Sequence, residues 1–383
     1  MSKPPFKYTP KYLLQEAVKW TEYGLQRGFI YLLRLLLPRR KGSLSHIDFS
    51  QAKVLFLRQN QIGDALISTP IFAALKRHYP SITLDVVLDR RNATALDGNP
   101  YIRRRYVIKQ ARFDFIGVLQ AIRQERYDMV IDLIHSASST STLLCLFSGA
   151  SVIGGFEREN DFVYDVKVQL PAGKRMLRQL AEILRLFQID PDQEPLRPSF
   201  YLSPSSPSFA ERILLPLRQQ FTHLVGVNIS ASSATFKFWG KENFIALLRH
   251  LRQRFPSAAF VLLYAKSYRT LAEEIAIASG AELCEETPTL SDFAAVISML
   301  DALITPDSAA AHLADIFGVP VFILTYLPEG ETAWYPSFTS FHVMHSPNGL
   351  VASIPLAQVR SASEAFLERT FAHQFPSKPS HLA

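Results

Sequence analysis

With 383 residues the chain exceeds what one ordinary hydrophobic core holds and is sized for two domains. Its 48% hydrophobic and 20% charged residues exclude a disordered chain. The formal net charge of +7 sits in one place: nine basic and two acidic residues lie between Met1 and Ser45, and the rest is neutral. A neutral body without an interleaved aromatic–basic motif argues against a nucleic-acid partner.

That basic segment opens the chain. Its most apolar run, Gly28 to Leu37, is broken by Arg34 and stopped by Pro38. It is too short to span a bilayer, and the 27 residues before it do not suit a signal peptide. Tyr12, Leu13, Ala17, Trp20, Tyr23 and Leu25 share a broad helical face with lysines beside them. Such a basic amphipathic helix either lies in a membrane interface, here through residues 1–45, or packs on the domain that follows. Cys145 and Cys284 form neither a metal spacing nor a disulfide framework, which predicts reduced, packed thiols in a cytosolic protein.

From Lys53 the pattern alternates. Apolar runs at Lys53–Arg58, Ile82–Leu88, Tyr106–Ile108 and Asp128–Leu133 predict strands. Helical periodicity covers Ala65–His78, Phe115–Glu125, Ser139–Phe147 and Lys174–Phe187. A Pro/Ser-rich stretch, PDQEPLRPSFYLSPSSPS, reads as a linker. The alternation then restarts, with strands at Leu224–Asn228, Ala259–Tyr264, Ala302–Thr305 and Val319–Leu324. Helices are expected at Lys241–Phe255, Leu271–Ala278, Leu290–Met299 and Ala309–Phe317. The reading is α/β, with two doubly wound Rossmann-like halves facing a cleft between their strand C-terminal ends. The boundaries are an extension over 1–48, a front domain over 49–205 and a rear domain over 206–383. No GxGxxG follows any candidate strand, which counts against an NAD enzyme.

Three strand-to-helix turns carry candidate chemistry. In Asn60-Gln61-Ile62-Gly63-Asp64, Gly63 permits a tight turn and close approach, and Asp64 is either a helix cap or a general base facing the cleft. Hydroxyls and a cation in Ser232-Ser233-Ala234-Thr235-Phe236-Lys237 suit phosphate oxygens, the alternative being a solvated loop; Trp239 is expected to pack beneath it. In Thr305-Pro306-Asp307-Ser308, Ser308 caps a helix whose first amides, at Ala309 and Ala310, would face an anion, and His312 reads as structural. Asp132 and His135, at the end of a front-domain strand, are possible acceptor contacts. The run Arg103-Arg104-Arg105 is either a solvated face or a site for an anionic glycolipid acceptor. No His/Asp/Glu cluster has metal-ligand spacing, so no metal is expected.

In this order the segments KVLFLRQNQIGDALISTPIFAALKRHYP, VGVNISASSATFKFWGKENFIALLRHL and LSDFAAVISMLDALITPDSAAAHLADIFGVPVFILT resemble glycosyltransferase family 9, the ADP-heptose:lipopolysaccharide heptosyltransferases. The resemblance spans Lys53 to Pro336 and rests on the IGD turn, the K-x-W element and the DSxxxH loop together. It implies a GT-B fold and a metal-independent inverting transfer from a nucleotide-sugar, ADP-heptose in that family, to an anionic lipid-linked glycan at the inner face of the membrane. By position Asp64 would be the base. Lys237, Ser232 and Ser233 would hold the donor diphosphate, Asp307 the donor sugar, and Ser308 with the following amides the phosphate. Ala309 stands where the family has Gly, Gln61 replaces a small residue, and Leu263–Lys266 lacks glycines often found there. These departures leave open an alternative: a non-catalytic sugar-nucleotide or glycolipid binding relative.

Overall fold

A computed structural model describes residues 42–109, 112–136, 138–158, 161–230 and 235–372, together with 24, 27–29 and 31–32. Two six-stranded sheets organise them. The front sheet comprises β1 (Lys53–Leu57), β2 (Thr83–Asp89), β3 (Arg104–Ile108), β4 (Met129–Asp132), β5 (Val152–Phe156) and β6 (Val166–Val168). The rear sheet comprises β7 (His223–Asn228), β8 (Ala258–Leu263), β9 (Glu282–Leu283), β10 (Ala302–Pro306), β11 (Val321–Thr325) and β12 (Phe341–His345). Every pairing is parallel, and the orders are β3-β2-β1-β4-β5-β6 and β9-β8-β7-β10-β11-β12. Each half therefore repeats the order 3-2-1-4-5-6, which reverses direction between its first and fourth strands and opens a crevice there.

The front helices are α1 (Ile62–His78), α2 (Arg112–Glu125), α3 (Ser139–Phe147) and α4 (Met176–Ala181). The rear ones are α5 (Ser206–Arg218), α6 (Lys241–Arg254), α7 (Arg269–Ser279), α8 (Leu290–Ser298), α9 (Ala309–Phe317) and α10 (Leu356–Ala372). Central strands such as Ala258–Leu263 are buried at every residue, because helices cover both faces and the sequence must be apolar throughout. One apolar cluster runs without a break from the front domain (Phe56, Ile67, Leu75) into the rear (Ala310, Leu313, Val321), and separate clusters fill the outer face of each sheet. The inner cluster packs α1 against α9 and brings the two crevices together.

Several elements differ from the sequence reading. The expected linker is packed rather than free: Leu196 and Phe200 are buried, and Glu194 pairs with Arg77 and with His78 at 2.7 Å. Its end is the start of α5, where Pro207 lies in the first turn and needs no N–H partner. The helix expected over Lys174–Phe187 begins at Met176, tightens to a 3-10 turn at Glu182, and ends at Gln188 with φ 61°. Strand β12 and helix α10 lie beyond the expected pattern; β12 is half-buried along its whole length and so lacks a continuous apolar signature. Cys145 and Cys284 are buried thiols outside any disulfide among the described residues, and burial pushes the Cys284 thiol up to about 12. The amphipathic face expected over Tyr12 to Leu25 lies outside the described residues. Within the extension, 27–29 and 31–32 are helical and exposed.

Candidate active site

The two crevices share one cavity of about 880 Å³ between the domains. Its front wall comes from the turn after β1 and the loop after β4, and its rear wall from the segments after β7, β8, β9, β10 and β11.

Asp64 is the third residue of α1, and at 7% exposure it still lines the cavity. Its Oδ2 accepts the Gln61 N–H at 3.1 Å, so it caps the helix and faces the cavity together. Oδ1 is held loosely, 3.4 Å from Asn60 Nδ2 and 3.5 Å from Arg58 Nη2. Negative charge in a helix's first turn is favoured by the exposed amides. Beneath it Arg58, fully buried, donates from Nε to the Asp64 carbonyl at 2.8 Å and from Nη1 to the Leu133 carbonyl at 2.5 Å. Burial lowers the Arg58 pKa, and the nearby Asp64 and Asp132 carboxylates oppose that.

Gly63 has a role the sequence did not disclose. A Cβ there would lie 2.3 Å from His312 Cδ2, so the missing side chain lets a rear-domain imidazole pack on the front domain. His312 also meets Trp334 edge-on at 6.1 Å, and Trp334 meets His135 at 5.8 Å. Burial lowers the pKa of both histidines. Arg58 and Arg158 add to the effect at His135 and Lys237 does so at His312, while neighbouring carboxylates oppose it. His135 lines the cavity, and its Nδ1 is buried with no hydrogen-bond partner among the described residues.

On the rear wall Lys237 closes a 3-10 turn, donates to Asp307 Oδ2 at 2.8 Å and to the Asp307 carbonyl at 3.2 Å, and lies 4.8 Å over the Tyr326 ring. Ser308 caps α9, its Oγ accepting the Ala310 N–H at 3.3 Å. Asn228 Nδ2 braces this cap, reaching Thr305 Oγ1 at 2.9 Å and Ser308 Oγ at 3.4 Å. Asp307, Ser308, Ala309 and Ala310 all line the cavity, with the N-terminus of α9 presented to it. Trp239 is buried beneath, its Nε1 donating to the Ile354 carbonyl at 3.1 Å. Ser232 and Ser233 lie outside the described residues. Among the described residues no group of His, Cys, Asp or Glu is placed to hold a metal, and no helix is long and apolar enough to cross a membrane.

Two of the expected acceptor contacts lie away from this cavity. Asp132 does not line the cavity: it is fully buried in an ion pair with Arg158, and it accepts the Tyr164 hydroxyl and the Ile134 N–H, each at 3.0 Å. Arg103 precedes β3 and Arg104 and Arg105 open it, at the end of this edge strand away from the cavity. Arg104 stands beside Asp85, four residues before the cavity-side end of β3, roughly 13 Å at strand spacing. Their charges are spent on Asp85 and Glu125 (Arg103), Glu125 (Arg104) and Asp97 (Arg105). Sequence reasoning missed Arg58, Trp334, Tyr326 and Glu331. An arginine closing a buried strand was a readable signal for the first, whereas nothing periodic marks the loop that carries the others.

A carboxylate thus faces, across one cavity, a lysine and a helix N-terminus, the pair of features that accepts a proton on one side and stabilises a growing anion on the other. Residues 116–338 of the sequence match the family model for glycosyltransferase family 9 (heptosyltransferase); Gly63 and Asp64 precede that match. The chain is 25% identical to lipopolysaccharide heptosyltransferase 3 of Escherichia coli K12 over 68% of its own length and 79% of the relative's. Among solved structures, a family 9 glycosyltransferase from Veillonella parvula superposes with a TM-score of 0.71 at 18% identity, covering 84% of this chain and 99% of that one. The E. coli heptosyltransferase WaaC with ADP-2-deoxy-2-fluoro heptose gives 0.64 at 16% identity, covering 82% and 99%. The twin parallel sheets are accordingly a GT-B fold, and the chain belongs to glycosyltransferase family 9, the heptosyltransferases.

Proposed function

We propose that this glycosyltransferase moves a heptose or a related sugar, with inversion, from a nucleotide-sugar such as ADP-heptose to a lipopolysaccharide inner-core or other lipid-linked glycan acceptor. One observation carries the reading: Asp64 from the front domain and Lys237, Asp307 and Ser308 from the rear line the same cavity. The names of the relatives support the donor and acceptor classes.

In the proposed step the acceptor hydroxyl attacks the anomeric carbon. The bond from oxygen to that carbon forms, the bond from it to the diphosphate breaks, and the hydroxyl proton passes to Asp64. Negative charge grows on the departing nucleoside diphosphate. Lys237 and the first amides of α9, with Ser232 and Ser233 nearby in sequence, meet that charge, so positive charge fixed in the protein serves where a metal otherwise would. Lys237 is held by Asp307 before the donor arrives, which keeps its ammonium aimed into the cavity; Asp307 is then placed for the donor sugar's hydroxyls. His135, half-buried on the front wall with its pKa lowered by burial, would be the acceptor contact. The basic segment 1–45 would hold the enzyme on the anionic inner face of the membrane, where such an acceptor is displayed.

Turnover of ADP-heptose with a lipopolysaccharide inner-core acceptor tests the reading. Asp64→Asn should lower kcat by about 10²–10⁴-fold with ADP affinity unchanged. Wild-type turnover by that variant would remove Asp64 from the base role.

A further inference from the structure

Arg58 is a fully buried guanidinium behind the cavity's front wall, beneath Asp64, and the proposed reaction does not use it. It links three pieces of that wall. Its own backbone directly follows β1, its Nε donates to the Asp64 carbonyl at 2.8 Å, and its Nη1 donates to the Leu133 carbonyl at 2.5 Å. The last bond reaches across the crevice to the loop that carries His135 two residues later. Asn92 holds the Arg58 carbonyl at 2.7 Å from the other side, and the Arg58 N–H donates to Val87 at 2.9 Å, so the backbone of Arg58 is fixed as well.

The third arm is unfinished. Nη2 is buried, has no hydrogen bond among the described residues, and stands 3.5 Å from Asp64 Oδ1. The two carboxylate oxygens therefore differ: Oδ2 is committed to the Gln61 N–H at 3.1 Å, while Oδ1 has only long approaches, from Asn60 at 3.4 Å and from Arg58. Long contacts of this kind in a ligand-free site tighten when the reacting complex forms.

We propose that Arg58 is a positioning residue for the transfer step: it orients Asp64 so that Oδ1 receives the acceptor proton, and it locks the base's turn to the loop bearing His135. The proposal rests on Asp64 being the base. A forked guanidinium suits the task, since a planar set of donors can hold two carbonyls and face a carboxylate at once, which an ammonium cannot. The charged and titratable groups around the pair are Asp132 and Arg158 beyond Leu133, His135 on the same loop, and His312 with Asp307 from the rear domain.

The experiment uses the full chain as wild type, Arg58→Met, Arg58→Lys and Asp64→Asn. The concentration of competent protein is taken from the ADP-binding stoichiometry by calorimetry, and kcat and KM are then measured for ADP-heptose and for the core acceptor. Arg58→Met is expected to lose about 10²-fold in kcat, the scale of a misplaced reacting group, with both KM values and ADP affinity unchanged. Arg58→Lys keeps a cation but loses the fork, and should fall about tenfold in kcat with KM unchanged. Wild-type kcat in either variant overturns the proposal, as does a deficit that vanishes on correction for competent protein or that falls on KM. If Arg58→Met binds no ADP because it fails to fold, the Arg58→Lys result decides alone. An active Asp64→Asn would instead overturn the base assignment, so the two failures are told apart.

Discussion

Gly63→Ala sets a local gain against a tertiary loss. Gly63 is the second residue of α1, where alanine is the better helix former by up to about 1 kcal/mol. Considered as a helix the substitution should stabilise. The added methyl would, however, stand 2.3 Å from His312 Cδ2 and 2.6 Å from Nε2, well inside the ~3.5–4.0 Å of a relaxed contact. Overpacking of this kind costs about 1–3 kcal/mol, so the net expectation is destabilisation by up to roughly 2 kcal/mol. His312 cannot simply turn away, because its ring also packs edge-on against Trp334. The thermal midpoints of wild type, Gly63→Ala, His312→Ala and the double variant form a cycle that isolates the clash. In the His312→Ala background the methyl has room and the helix gain should surface, reversing the sign. Turnover in Gly63→Ala should fall as well, since Asp64 is the next residue. A midpoint raised by Gly63→Ala in both backgrounds would refute the close approach of the two domains at this point.

Lys237→Met removes the rear-wall cation held at Asp307 and facing the proposed diphosphate; losing a charged hydrogen bond of about 1.5–3 kcal/mol should weaken ADP binding by roughly 10–150-fold, read by calorimetry. Asp132→Asn breaks a buried ion pair with Arg158 and should cost about 3–5 kcal/mol in stability while leaving the ADP affinity of the folded fraction intact; a specific loss of acceptor binding instead would restore Asp132 to the site. Both His135 and His312 have pKa values lowered by burial, so on acidification the unfolded chain takes up protons first. Their contribution is complete above the unfolded value of about 6.5 and is lost as pH falls toward the folded values. The thermal midpoint should drop on going from about pH 7 to pH 5, and less steeply in His312→Asn; a flat profile would contradict the burial of these rings.

The alternation of apolar runs with helical periodicity from Lys53 onward is a local property of the chain, and it was sufficient for a two-part parallel α/β architecture. The candidate turns were legible for the same reason: Gly63-Asp64, Lys237 and Asp307-Ser308 each follow a predicted strand, and parallel topology brings strand ends to one edge. Asp64 was open to two readings, cap or cavity residue, and the geometry makes it both, because Oδ2 turns to the Gln61 amide and Oδ1 does not.

Other features had no local signature. That Asp132 is buried with Arg158 while His135, three residues on, reaches the cavity depends on where the chain turns after β4, a matter of fractions of a helical or strand period. The Arg103–Arg105 run reads as a free basic patch only while Asp85, Asp97 and Glu125 are far away in sequence; the sheet supplies these acids from β2, the loop after it and α2. Composition and periodicity thus determined the strands, their helices and the edge at which chemistry gathers, since those follow from which residues avoid water along the chain. The pairing of Gly63 with His312, the fork of Arg58 and the place of Trp334 between two histidines were decided by the packing of one domain on the other, where partners are chosen by distance in space and not along the sequence.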